Sequence, residues 1–187
     1  MRRLLVAAAI FVAATLCASA QSVEERLPTC LACHGENGQS QTPEVPSLGG
    51  QPEFYVTIQL YMFREKLRDV EIMNEMTKGL SDDDLRKMAA AIAKLPPPPG
   101  GPPDPAAAER VQAVVRQNRC NFCHRENFAG DQNVPRLAGQ REDYLVRTLR
   151  EYKSNTRRGY DSSMADVLYP VSDEQILALA HFLAGRP

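Results

Sequence analysis

Two five-residue stretches, Cys30-Leu31-Ala32-Cys33-His34 and Cys120-Asn121-Phe122-Cys123-His124, stand ninety positions apart and share the pattern C-x-x-C-H. That pattern is the attachment signature of a c-type haem. Two thiols three positions apart reach the two vinyl groups of one porphyrin and form thioethers. The adjacent imidazole then binds the iron from the proximal side. A lone C-x-x-C would also suit a redox dithiol or half of a zinc site. Two copies, each followed directly by histidine, point to two covalently bound haem c groups, one per motif.

The start of the chain agrees with haem attachment outside the cytoplasm. Met1-Arg2-Arg3 is a short basic start, residues 4–16 are apolar, and Ala18-Ser19-Ala20 offers a small-x-small cleavage site. Residues 1–20 thus read as a secretory signal peptide, too short in its apolar part to be a stable membrane span. Cleavage there removes Cys17, and Leu16 before it is too large for a lipoprotein acylation site. The four remaining cysteines are those of the two motifs. The expected mature protein is periplasmic, soluble or peripherally membrane-associated, with no transmembrane segment.

Without Arg2 and Arg3 the chain has 20 basic and 23 acidic side chains. A slightly acidic exported protein does not fit nucleic-acid binding. The charge is uneven, with 8 basic and 12 acidic groups in residues 21–99 against 12 and 11 in residues 100–187. Such an asymmetry either orients diffusional docking or is an uneven surface of no consequence.

The chain also repeats itself. Pro46-Ser47-Leu48-Gly49-Gly50-Gln51 follows His34 by twelve residues, and Pro135-Arg136-Leu137-Ala138-Gly139-Gln140 follows His124 by eleven. A tyrosine comes four residues after each glutamine, at Tyr55 and Tyr144. Each half then closes with a stretch opened by a serine and acids, Ser81-Asp82-Asp83-Asp84 and Ser172-Asp173-Glu174, the pattern of a capped helix start. Helical patterning covers residues 23–31, 53–66 and 81–94 in the first half and 105–119, 141–153 and 172–183 in the second, with no run of strand alternation. Between them, residues 96–105 are so rich in proline and glycine that neither helix nor central strand survives. They read as a semi-extended linker spanning up to roughly 30 Å. The expected organisation is a signal peptide over 1–20, one domain over 21–95, the linker, and a second domain over 106–187, all α-helical. At about 80 residues each, such domains are small for a self-sufficient core, and a bound macrocycle would supply much of the apolar interior.

The sixth iron ligand decides what such a haem does. The second half contains one methionine, Met164, eight residues before Ser172. The first half holds Met62, Met73, Met76 and Met88 after the leader, and only Met73 lies eight residues before its own capping Ser81. The repeat therefore selects Met73 over Met76. A thioether is a soft ligand that raises the potential. His181 has no counterpart in the first half and reads as a partly exposed helix residue. Pro46 and Pro135 fall where a carbonyl can accept the second ring N–H of His34 and His124, fixing the tautomer. Tyr55 and Tyr144 suit core packing or a propionate hydrogen bond equally. The Arg157-Arg158 pair reads as a solvated loop, and residues 82–84 as a helix N-terminus.

On these motifs the chain resembles a di-haem class I cytochrome c of the c-four type. The resemblance rests on the paired Cys30–His34 and Cys120–His124 motifs, on P-x-L-x-G-Q at Pro46 and Pro135, and on Met73 and Met164 before their serine-capped stretches. It implies two tandem all-α cytochrome domains related by a pseudo-twofold. His34 and Met73 would hold one iron, His124 and Met164 the other. It implies an electron carrier rather than an enzyme, passing single electrons between a respiratory donor and a terminal oxidase or reductase, with redox proteins such as a membrane-bound oxidase as partners. The alternative is the haem subunit of a larger dehydrogenase, such as a flavocytochrome c sulfide dehydrogenase. The proline-rich linker and the short charged segment before Met73 depart from the family pattern.

Overall fold

A computed structural model describes residues 22–101, 104–157 and 162–187. The expected signal peptide with Cys17, the linker residues Pro102 and Pro103, and Arg158 lie outside the described residues. Helices α1 (Val23–His34), α2 (Glu53–Arg64), α3 (Glu71–Thr77) and α4 (Asp82–Ala93) build the first half. Helices α5 (Pro105–Gln117), α6 (Cys120–His124), α7 (Glu142–Lys153), α8 (Ser163–Leu168) and α9 (Asp173–Ala184) build the second. The only β feature among the described residues is an isolated bridge between Asp131 and Val134. The all-α expectation holds.

The caps sit where the serines place them. Ser81 and Ser172 accept from the backbone N–H of Asp84 and Gln175, and each partner returns a bond to the serine's own N–H. These reciprocal capping boxes satisfy donors that a helix start otherwise leaves bare. Ser22 and Glu25 build a third on α1. Acidic groups here also face the positive end of the helix dipole. Asp82 binds Arg64 at 2.7 Å and Asp173 binds Arg150 at 2.7 Å, tying α4 to α2 and α9 to α7 in the same way.

The helices pack in two groups that do not mix. In the first half α4 lies against α1 and α2, and α3 against α2; in the second α9 lies against α5 and α7, and α8 against α7. The first core gathers Val56, Leu60, Leu80, Leu85, Met88, Ala89 and Ile92. The second half divides its core in two. Val111, Leu149, Ile176 and Leu179 form one cluster, and Phe128, Ala138, Leu145, Ala180 and Leu183 form the other.

The two entrances to the haem motifs differ. α1 runs unbroken through Cys30 to His34, whereas α5 ends at Gln117, close to the end of the expected helix over 105–119, and Arg119 at a left-handed φ of 53° separates it from the short α6. The short helices α3 and α8 carry Met73 and Met164; neither has an apolar period long enough to be read from sequence.

The linker is not a free tether. Gly50 N donates to Leu95 O and Gly101 N to Gly185 O, each at 3.0 Å, and Gln39 reaches Pro97 O at 3.3 Å. Gly50 and Gly139, the matched glycines of P-x-L-x-G-Q, have φ of 68° and 69°. A Cβ at Gly50 would come within 2.7 Å of Pro97 Cβ, and one at Gly139 within 3.0 Å of Pro98 Cβ. Glycine is therefore needed twice over at each position, for the left-handed backbone and for the passage of the proline strap. Pro105, where the composition-defined linker and the expected helix over 105–119 meet, is the first residue of α5, with Asp104 as its cap.

Candidate haem sites

Each C-x-x-C-H motif lies on a helix with its histidine turned inward. His34 and His124 are 7% and 5% exposed. His34 Nδ1 lies 2.8 Å from Pro46 O, and His124 Nδ1 lies 2.9 Å from Pro135 O. A carbonyl only accepts, so Nδ1 carries the proton and Nε2 keeps its lone pair. Burial lowers the basicity of both rings, against the opposing pull of the proline carbonyls. Each ring is thus a neutral imidazole held in one orientation, the state a metal ligand requires. The prolines stand where the repeat put them.

The cysteines fall into matched pairs. Cys30 and Cys120 are half-buried, with burial pushing their thiols up. Cys33 and Cys123 are exposed. No disulfide joins the two cysteines of either motif. Among the described residues no cluster of three or more His, Cys, Asp and Glu side chains is placed to hold a bare metal ion.

The methionines separate by burial. Met62 and Met88 are buried, 5% and 3% exposed, and Met88 belongs to the first core. Met76 is 36% exposed, and Met73 is half-buried one turn earlier on α3. Met164 is half-buried on α8 and packs against the cluster of Val111 and Ile176. His181 sits exposed on α9, its Nδ1 3.1 Å from Glu142 Oε2, and takes no part in either motif's surroundings.

The repeated loops meet face to face. Gln140 pairs with Ser47, and Gln51 with Arg136, through the backbone of each partner. Tyr55 N donates to Gln132 O at 2.9 Å, and Arg147 binds Glu44 at 2.9 Å. Beneath these bonds lies a polar cluster that the sequence did not reveal. Tyr144 Oη accepts from Arg68 Nη2 at 3.3 Å and from Arg157 Nη2 at 3.1 Å. Arg157 is 7% exposed and bound to Glu151 at 2.8 Å, which overturns its reading as a solvated loop residue. Burial alone would raise the Tyr144 phenol, but the two guanidiniums outweigh it and bring it down to about 8. Tyr55 is raised, by burial first and by Tyr144 second.

This arrangement fits a haem in each half. The donor set is two thiols, one inner and one outer, followed by an imidazole locked on a carbonyl. Arg68 Nε is buried without a hydrogen-bond partner, an orphan donor suited to an anionic group such as a propionate. Two helical units that each carry such a motif define a tandem class I cytochrome c.

Comparison with known proteins agrees. The cytochrome c family model matches residues 108–186. The cytochrome c4 of Thiocapsa roseopersicina is 32% identical, over 83% of this chain and 86% of that protein. A thiosulfate dehydrogenase electron acceptor of Thiomonas intermedia (strain K12) is also 32% identical, over 100% of this chain and 92% of its own. The crystal structure of reduced recombinant cytochrome c4 from Pseudomonas stutzeri superposes with a TM-score of 0.79 at 28% identity, covering 88% of this chain and 97% of that one. The chain belongs to the cytochrome c4 family. It is an electron-transfer protein, not an enzyme, and its cofactors are two covalently bound haem c groups.

Proposed function

We propose that the protein is a periplasmic shuttle carrying single electrons from a respiratory donor to a terminal oxidase or reductase. In this reading residues 1–20 are the export leader, residues 21–95 and 106–187 the two haem domains, and residues 96–105 the strap between them. Cys30 and Cys33 form the thioethers of the first haem, Cys120 and Cys123 those of the second. His34 and Met73 would hold one iron, His124 and Met164 the other.

When bound, each haem supplies a one-electron ferric/ferrous couple. The chain does the rest. Pro46 and Pro135 hold the imidazoles, so neither ring turns when the charge changes. With the thioethers of Met73 and Met164 as the remaining ligands, neither iron would offer a place to a substrate or to water. Arg68 and Arg157 offer positive charge to propionates at the seam between the halves. No described helix is long and apolar enough to cross a membrane. The observation that carries the proposal is the duplicated site, with the same histidine–proline bond recurring at 2.8 and 2.9 Å.

A second reading, service to a sulfur-compound dehydrogenase, is supported by the Thiomonas intermedia relative, named as the electron acceptor of thiosulfate dehydrogenase. Stopped-flow mixing separates the two. Rapid oxidation of the reduced protein by oxidase-containing membranes supports the respiratory assignment. Rapid reduction of the oxidised protein by a thiosulfate dehydrogenase and thiosulfate, with slow oxidation by the membranes, supports the second reading instead.

A further inference from the structure

The peptide group joining Pro46 to Ser47 is bound at both ends. Its carbonyl accepts from His34 Nδ1 at 2.8 Å, and its N–H donates to Gln140 Oε1, in the other half of the chain, at 2.8 Å. The peptide joining Pro135 to Arg136 repeats this in reverse. Its carbonyl accepts from His124 Nδ1 at 2.9 Å, and its N–H donates to Gln51 Oε1 at 3.0 Å. Each glutamine amide closes a second bond, Gln140 Nε2 to Ser47 O and Gln51 Nε2 to Arg136 O, both at 2.9 Å. Gln140 and Gln51 are only 5% and 6% exposed.

A glutamine acting only as glue between domains has many exposed backbone groups to choose from. Both glutamines instead take the one peptide whose carbonyl holds the histidine of the opposite half. An acceptor on the N–H of a peptide draws electron density toward its carbonyl oxygen, and hydrogen bonds in such chains strengthen one another by about 10–30%. A stronger carbonyl pulls harder on the Nδ1 proton and makes Nε2 a better donor to a metal. A more basic axial imidazole favours ferric over ferrous iron.

We propose that Gln140 and Gln51 are positioning residues acting across the domain boundary, each setting the histidine–carbonyl bond, and so the potential, of the haem in the other domain. The proposal rests on His34 and His124 being the axial ligands. It makes domain contact and haem potential one property: opening the seam raises both potentials.

The test is a redox titration of the full-length holoprotein followed by NMR, with the resonances of each haem assigned. Gln140→Met should raise the reduced-to-oxidised ratio of the first-domain haem about threefold at fixed ambient potential, ~28 mV at 59 mV per decade, and move the other haem far less. Gln51→Met should do the reverse. Gln140→Glu keeps an acceptor for Ser47 N–H and should lower the ratio, more for the first haem than for the second; this variant decides alone if Gln140→Met does not fold. Haems that move together, a shift in the variant's own domain, no shift with methionine, or a rise with glutamate would overturn the proposal. A wild-type protein without histidine/methionine spectra would overturn the ligand assignment instead, so the two failures are distinguishable.

Discussion

Arg68 Nη2 lies 3.3 Å from Tyr144 Oη, and that bond crosses from the first half of the chain to the second. With Arg157 Nη2 on the same oxygen, one phenol collects two guanidiniums at the place where the halves join. Two cations would not be buried together without something to balance them. Tyr144 supplies part of that balance and Glu151 part, and the bare Nε of Arg68 leaves room for more.

The phenol should report on this arrangement. Replacing Arg68 with methionine removes one of the charges that bring Tyr144 down to about 8, so its titration should move upward toward the value set by burial. Tyrosine ring NMR across the alkaline range checks this. An unchanged midpoint would show that Arg157 alone perturbs the phenol.

The two methionines of α3 give a second test. Met73→Ala should remove about half of the weak far-red sulfur-to-iron absorption of the oxidised protein, since one of two equivalent sites is lost. Met76→Ala should leave it intact, as Met76 is 36% exposed and out of register with Met164. Loss of the band with Met76→Ala alone would reassign the first ligand.

Acid should weaken the seam. Asp143 accepts from Arg141 Nη2 at 2.7 Å and from Glu44 N, across the boundary, at 3.0 Å. The Arg141 guanidinium, against the opposing effect of burial, holds this carboxyl down at about 2. A depressed folded-state value means the contribution to stability is complete above the unfolded value near ~3.9 and is lost as pH falls through about 2. Thermal melts of wild type and Asp143→Asn should therefore differ at pH 5 and converge toward pH 2. A constant difference over that range would contradict the assignment.

Gly50→Ala should destabilise the fold by about 1–3 kcal/mol, because the left-handed backbone and the nearby Pro97 both oppose a Cβ. Chemical denaturation measures it. A neutral result would mean that the strap lifts away from Gly50 at little cost.

How much of this was legible beforehand differs by element. His34, His124, Pro46 and Pro135 could be placed from the chain alone, because a covalent signature and an internal repeat fix chemistry and register together. The serine caps were legible for the same local reason. Helices α3 and α8 were not, being too short for an apolar period to appear. The end of α5 agrees with the expected stop at Arg119, but α6 over the second haem motif was not legible, since a helix of 5 residues shows no apolar period. Gln51 and Gln140 recur visibly in P-x-L-x-G-Q, yet their role depends on two loops ninety residues apart meeting, which periodicity cannot show. Arg157 was misread because a basic pair in a polar stretch looks solvated until Glu151 and Tyr144 are seen around it.

A carrier needs both irons closed, here by His34 with Met73 and by His124 with Met164. The absorption spectrum of the oxidised full-length protein tests that closure most directly. The oxidised protein should show a far-red sulfur-to-iron band with the intensity of two haems and only low-spin iron. A band worth one haem or none, or a high-spin signal from either site, would contradict it.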